Sequence, residues 1–233
     1  MRPAVPLPVC NAMPSRPPPS EVDRGQRHAV HLVALLVLVL VALAISGISP
    51  NDRTTWWLEV FPVLIVVPLL LASYRRFELT PLAYGLIAVH ALILILGGAY
   101  TYAQVPLGFS LQDWLGLARN PYDRIGHFAQ GFVPAIVVRE ILVRRSPLRP
   151  GKWLSFLVLC VCLAISAAYE LLEFGSALIM GQGADQFLGT QGDPWDTQWD
   201  MMTALIGAFA ALVVLSRWHQ RQIRVLERRR RGQ

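Results

Sequence analysis

Charge is scarce in this chain: Asp, Glu, Lys and Arg make up 15% of its 233 residues, where an ordinary soluble domain carries about 25%. So few charges cannot clothe a water-facing surface. With 54% apolar residues and a mean hydropathy of +0.45, the solvent to consider is a bilayer. Cysteine is rare as well. Cys10, Cys160 and Cys162 are the only thiols, two of them inside an apolar run, which excludes a disulfide scaffold. Two positions apart on a helix, Cys160 and Cys162 point to different faces and form no metal clip. The chain also lacks a Walker loop, a dinucleotide fingerprint, a Ser nucleophile elbow and an HExxH pair, so no short motif names a reaction.

Long apolar runs are what the chain does have. A hydrocarbon core about 30 Å thick takes roughly 20 helical residues, and the pattern predicts spans near 29–48, 56–74, 81–100, 121–143, 152–180 and 194–217. The expected fold is all-α: a six-helix transmembrane domain over 29–217 between two tails. Residues 1–28 hold seven of the 17 prolines and no apolar period, the composition of a disordered cytoplasmic tail. Residues 218–233 read as a basic cytoplasmic tail. Ala42-Leu43-Ala44 has the form of a signal-peptidase site, but the long polar lead favours an uncleaved anchor over a signal peptide ending at residue 44. Pro62 and Pro68 are expected to kink the second span, and Arg139 and Glu140 to snorkel to the inner interface. Ser110-Leu111-Gln112-Asp113 is expected to open a short amphipathic helix on the outer surface as a capping box.

Basic residues set the orientation. Of the 21 Lys and Arg, 17 fall on the side of both termini; Arg53, Arg119 and Arg124 fall on the other, and Arg139 lies within a span. Retained loops carry the basic excess, so both termini are expected in the cytoplasm. The net charge of +6 and pI near 9.7 are then a topology signal rather than a mark of nucleic-acid binding. The expected partner is the bilayer itself, with anionic headgroups near Arg228–Arg231 at about 1 kcal/mol per basic side chain.

The acids are distributed differently. Ten of 15 lie on the outer face or in the outer halves of spans, and the connection 181–199 holds Asp185, Asp193 and Asp196 with no Lys or Arg. Acids barely influence insertion, so this bias has another cause. Two segments share a design: Asn120-Pro121-Tyr122-Asp123 with His127 four residues on, and Asp193-Pro194-Trp195-Asp196 with Asp200 four residues on. Asn or Asp at the N-cap, Pro at the first helical position and Asp at the third are helix-start chemistry. That chemistry accounts for Asp123, Asp193 and Asp196, but not for His127 and Asp200 a turn deeper. In the fifth span Glu170 lies about 25 Å along the helix from Trp153, inside the apolar zone, and Glu173 follows one turn later. A charge at the bilayer centre costs at least about 2.5–3.5 kcal/mol, so these side chains should face the bundle interior with partners.

The expected site is therefore an outward-facing pocket between the fourth, fifth and sixth spans, made of His127, Glu170, Glu173 and Asp200, with Asp123, Asp193 and Asp196 at its rim. Three readings of these residues stay open: a site for a divalent cation such as Mg, Mn, Ca or Zn; a proton relay or a cationic headgroup site; and a structural hydrogen-bond network pinning three helices. The preferred function is binding of a divalent cation or a polar cell-envelope ligand. The alternatives are a membrane-embedded hydrolase or transferase acting on lipid-linked substrates, and a proton-coupled transporter. His90, mid-span, reads as a hydrogen-bonded packing residue, and His28, His31 and His219 at the inner boundary carry no assigned role.

Tyr122-Asp123-x3-His127-Phe128, Tyr169-Glu170-x2-Glu173-Phe174 and Gly192-Asp193-Pro194-Trp195-Asp196-x3-Asp200-Met201 resemble the YjdF-like family of bacterial inner-membrane proteins, which has no assigned biochemical activity. The resemblance covers roughly 30–217. A remoter similarity is to VanZ-like membrane proteins, associated with glycopeptide resistance, whose outline is matched by Asp123-Arg124-x2-His127-Phe128, Glu170 and Asp200. The chain departs from that outline with Glu173 in place of a Gln and Ala204 in place of an Asn. The resemblance implies a cell-envelope setting without a reaction.

Overall fold

The computed structural model describes residues 21–180 and 190–231. Residues 1–20 of the Pro-rich segment and Asp185 lie outside the described residues. The elements are α1 (Glu21–Ser46), α2 (Arg53–Ser73), α3 (Pro81–Tyr100), a 3-10 turn (Tyr102–Gln104), α4 (Pro106–Leu115), α5 (Tyr122–Arg145), α6 (Lys152–Met180) and α7 (Asp196–Arg231). All but α4 among the helices are long and apolar enough to cross a membrane, and no strand occurs among the described residues. The protein is an all-α, six-span membrane protein.

Local chemistry explains most of the helix ends. Asp52 Oδ1 accepts from the Thr55 amide at 2.6 Å to start α2, and that bond holds the Asp52 carboxyl below the ordinary carboxylate range. Thr80 Oγ1 accepts from Ala83 N at 3.4 Å ahead of α3, with Pro81 at the first helical position. Gly116 ends α4 with φ +63°, the left-handed conformation open to glycine. Three starts and stops differ from the sequence pattern. α1 begins at Glu21, so 21–28 is helical. α4 begins at Pro106, because proline pre-sets the first turn; the Ser110 hydroxyl donates back to Pro106 O at 3.3 Å instead of capping. α7 does not stop with the apolar run at 217; its 36 residues span about 54 Å, well beyond a hydrocarbon core of about 30 Å.

α3 stands between two layers. On one side Val39, Trp56, Val60 and Val63 of α1 and α2 pack with Ala88, Ala91 and Ile95 of α3. On the other, Leu82 and Ala83 of α3 join Ala135, Ile136, Val158 and Ala208 of α5, α6 and α7. The tightest seam is α5 on α7. A Cβ on Gly131 would overlap the Ala204 carbonyl, and one on Gly207 would overlap the Phe128 carbonyl, so the two backbones touch through small residues, as membrane helices do when no hydrophobic gain drives association. Gly131→Leu is expected to lower the melting temperature in detergent by roughly 5 °C, from an overpacking cost of about 1–3 kcal/mol. Gly175→Leu, where an added Cβ meets nothing within 4 Å, should shift it by no more than about 1 °C. Equal responses would remove the seam from the account.

At the basic end of the bundle, the expectation that Arg139 and Glu140 snorkel is wrong. Arg139 is 4% exposed and Glu140 and His219 are 0% exposed. Glu140 accepts from Thr80 N at 3.0 Å, Thr80 Oγ1 at 2.7 Å, Arg144 Nη1 at 2.5 Å and His219 Nε2 at 3.0 Å. Arg139 Nη1 meets His219 Nδ1 at 3.1 Å. Arginine only donates, so the His219 ring proton sits on Nε2 and goes to Glu140. His28 likewise acquires a partner, Glu78 Oε1 at 3.0 Å. These residues turn inward because α7 continues past the apolar run and presents His219 and Gln220 to α5, a more favourable partner than the interface.

Candidate functional site

The opposite end, where α4 lies, gathers the acids. Asn120 Oδ1 accepts from Tyr122 N at 3.0 Å and Asp193 Oδ1 from Trp195 N at 2.9 Å, so the two Pro-containing starts fold alike, each bonding across its own proline. Asn120 is 1% exposed and its amide also donates to Ala103 O and Val105 O, both at 3.1 Å, which fixes the entry to α5 against the segment leading into α4. The matched starts bring Asp123 and His127 of α5 face to face with Asp196 and Asp200 of α7.

Two arginines, rather than Arg124 alone, tie the rim. Arg119 Nη1 lies 2.8 Å from Asp196 Oδ1 and 3.5 Å from Asp193 Oδ2, and its Nη2 lies 3.8 Å from Asp123 Oδ2. Arg124 Nη2 lies 2.7 Å from Asp196 Oδ1 and 3.4 Å from Asp193 Oδ2, while its Nη1 donates to Asp200 Oδ1. Beneath them His127 is the hub. Its Nε2 is 3.5 Å from Asp123 Oδ1 and 3.7 Å from Asp200 Oδ1, and its Nδ1 is 3.7 Å from Glu170 Oε1 and 3.0 Å from Gln130 Oε1.

Of the expected quartet, His127, Glu170 and Asp200 meet, at 6%, 7% and 2% exposure. Glu173 does not join them; it is half-buried and lines an adjoining cavity. Asp123, expected only at the rim, belongs to the centre: it is 7% exposed, and Asp123, His127 and Asp200 each offer one ligand atom, all within 4.8 Å of one another. Asp193 and Asp196 hold the rim through the two arginines. Two central oxygens, Asp123 Oδ2 and Glu170 Oε1, are buried without a hydrogen-bond partner among the described residues, as is Nε2 of His90.

Glu59 is the acid that sequence reasoning does not single out. It is 4% exposed, accepts from the Tyr169 hydroxyl at 3.2 Å, and lines the same cavity as Glu173. The signal was present as a lone acid between Leu58 and Val60 in an apolar run. Arg119 was hidden differently, since an arginine beside a predicted interface needs no partner to be explained.

Chemically the centre combines one imidazole with buried carboxylate oxygens. That donor set suits borderline and hard divalent cations. Five carboxyl groups, Asp123, Glu170, Asp193, Asp196 and Asp200, lie within reach of two guanidinium groups and one imidazole, so acidic side chains outnumber basic ones at the cluster.

Residues 31–221 match the model of a family described as "Predicted membrane protein (DUF2238)". The chain is 61% identical over 189 residues, 81% of its own length and 90% of the relative's, to the inner membrane protein YjdF of Escherichia coli (strain K12). No solved structure matches. Matched across most of its length by both, the chain belongs to this YjdF-like family and is a multi-pass protein of the inner membrane.

Proposed function

We propose that the protein binds a divalent cation at Asp123, His127 and Asp200, with Glu170 beside them, in a pocket that opens away from the cytoplasm. One observation carries the reading: three ligand atoms from two helices lie within 4.8 Å of one another in a buried site where acidic side chains outnumber basic ones. Two buried oxygens there lack a hydrogen-bond donor among the described residues, and a cation would engage both. His127 supplies nitrogen, Asp123 and Asp200 supply oxygen, and Gln130, 3.0 Å from Nδ1, orients the imidazole. Arg119 and Arg124 pair with Asp193 and Asp196 at the rim, and Arg124 also donates to Asp200. The outward orientation rests on the described basic residues at the end opposite the pocket, among them Arg75, Arg76, Arg144, Arg145 and Arg149, against Arg53, Arg119 and Arg124 at the pocket end. That end, with Arg228–Arg231, is the surface for anionic lipid headgroups.

The test is the melting temperature of the detergent-purified protein titrated with Mn2+, Zn2+, Mg2+ and Ca2+ after chelation. A ligand binding only the folded state at 100 times its Kd adds about 2.7 kcal/mol, so at least one metal should raise the transition by several degrees. The Glu170→Gln, Asp200→Asn double variant should lose that shift while still unfolding cooperatively. No response of the parent protein to any of the four metals refutes the proposal.

A further inference from the structure

A cavity of about 540 Å³ adjoins the cluster, within the size range of small-molecule sites. It is long and narrow. α2 packs on α3, and the stripe of α5 that faces α2 is left uncovered along Asp123, His127, Gln130, Val133, Val137 and Ile141. This is the 3-and-4 spacing of one helix face. From Glu59 to Ser73, both in its wall, the rise along α2 is about 21 Å, room for an extended chain.

The two ends of the cavity differ. Toward the basic end its wall is apolar, with Leu69, Leu70, Phe77, Val138 and Ile141. Toward the α4 end it carries Glu59, His90, Asp123, Tyr169 and Glu173. No Lys or Arg lines it among the described residues, and neither Glu59 nor Glu173 has one within 4.0 Å. Asp123 also borders this space but already has His127 Nε2 at 3.5 Å and Arg119 Nη2 at 3.8 Å, whereas His90 Nε2 there has no hydrogen-bond partner among the described residues. Arg119, Arg124, Asp196, Asp200 and Glu170 do not line the cavity; it borders the cation site at Asp123 and His127, and Glu59 and Glu173 stand outside that site.

We infer that this cavity binds an amphiphile with one apolar chain and a cationic amine head, the chain lying between α2 and α5 and the amine beside Glu59 and Glu173. Charge complementarity selects the head. Buried carboxylates without a nearby cation attract an ammonium, which donates three hydrogen bonds, and reject a carboxylate or phosphate that brings none. Tyr169, already donating to Glu59, fixes that carboxylate toward the α4 end.

The experiment is photolabelling of the full chain in phosphatidylcholine nanodiscs containing EDTA. It compares two sixteen-carbon probes with a diazirine in the chain, one ending in a primary amine and one in a carboxylate. The amine probe should label the α2 and α5 walls around Leu70, Val138 and Ile141 several-fold more than the carboxylate probe. Glu59→Gln should reduce that labelling by about tenfold or more, and Val138→Trp should abolish it by filling the apolar arm. Labelling of the lipid-facing residues Phe209 and Val213, 60% and 65% exposed, should be unchanged, which reports that each variant is folded. Equal labelling by both probes, labelling confined to Phe209 and Val213, or persistence of wall labelling in Val138→Trp would each overturn the inference. EDTA removes divalent metal, so the labelling is read with the cation site empty, and a failed metal titration leaves these outcomes unchanged.

Discussion

Arg124→Ala is expected to lower the melting temperature in detergent by roughly 10 °C, the equivalent of about 3–5 kcal/mol for removing one partner of a buried ion pair. Arg124 is the only described group that bonds both Asp196 and Asp200, which are 5% and 2% exposed, and without it two buried carboxylates stand one helical turn apart with Arg119 reaching only the first. Adding Asp200→Asn to this variant should recover part of the loss, because the amide removes the uncompensated charge while keeping the shape. A single variant as stable as the parent, or a double variant less stable than the single one, would mean that the rim is not held by charge pairing.

Glu140→Ala should cost as much or more. Its carboxylate satisfies Thr80 N, Thr80 Oγ1, Arg144 and His219 at once, and at 0% exposure no water replaces it. The loss leaves several donors unpaired, at about 1–3 kcal/mol each, so a fall of 10 °C or more is expected. Glu140 lies 17 residues beyond Asp123 on α5, about 26 Å along the axis. The cation-dependent rise in melting temperature should therefore survive in Glu140→Gln, measured from that variant's own lower baseline, since sites this far apart act additively. Loss of the metal response would show that the two polar clusters are coupled through α5.

The two clusters were legible to different degrees. His127, Glu170 and Asp200 stand out in the sequence because each is an ionisable residue inside an apolar run, where the cost of burial demands a partner. Glu140 and His219 carry the same kind of cost, yet each sits beside basic residues at the end of a run, where snorkelling explains them cheaply. The difference came from α7: an extra four turns of helix beyond the apolar pattern carry His219 and Gln220 alongside α5. Asp123 was read as a helix-start residue, which it also is, since an acid in the first turn meets the helix dipole whether or not it binds anything else. Only the facing of α5 and α7 reveals its second role. Glu173 moved the other way: one turn from Glu170, it falls on the side of α6 facing the cavity rather than the cluster.

By itself the amino-acid order determined the solvent, the helix class and the number of crossings, because these depend on runs of apolar residues and on the length of a helix needed to cross a hydrocarbon layer. It also determined which charges must be paired. Which partners they find was decided only in three dimensions. The backbone contact of Gly131 with Ala204 fixes how α5 faces α7, and that rotation chooses which of several acids point at His127 and which at the open space beside α2. Pairing across helices depends on azimuth, and azimuth is settled by small residues whose message is read only against the helix they touch.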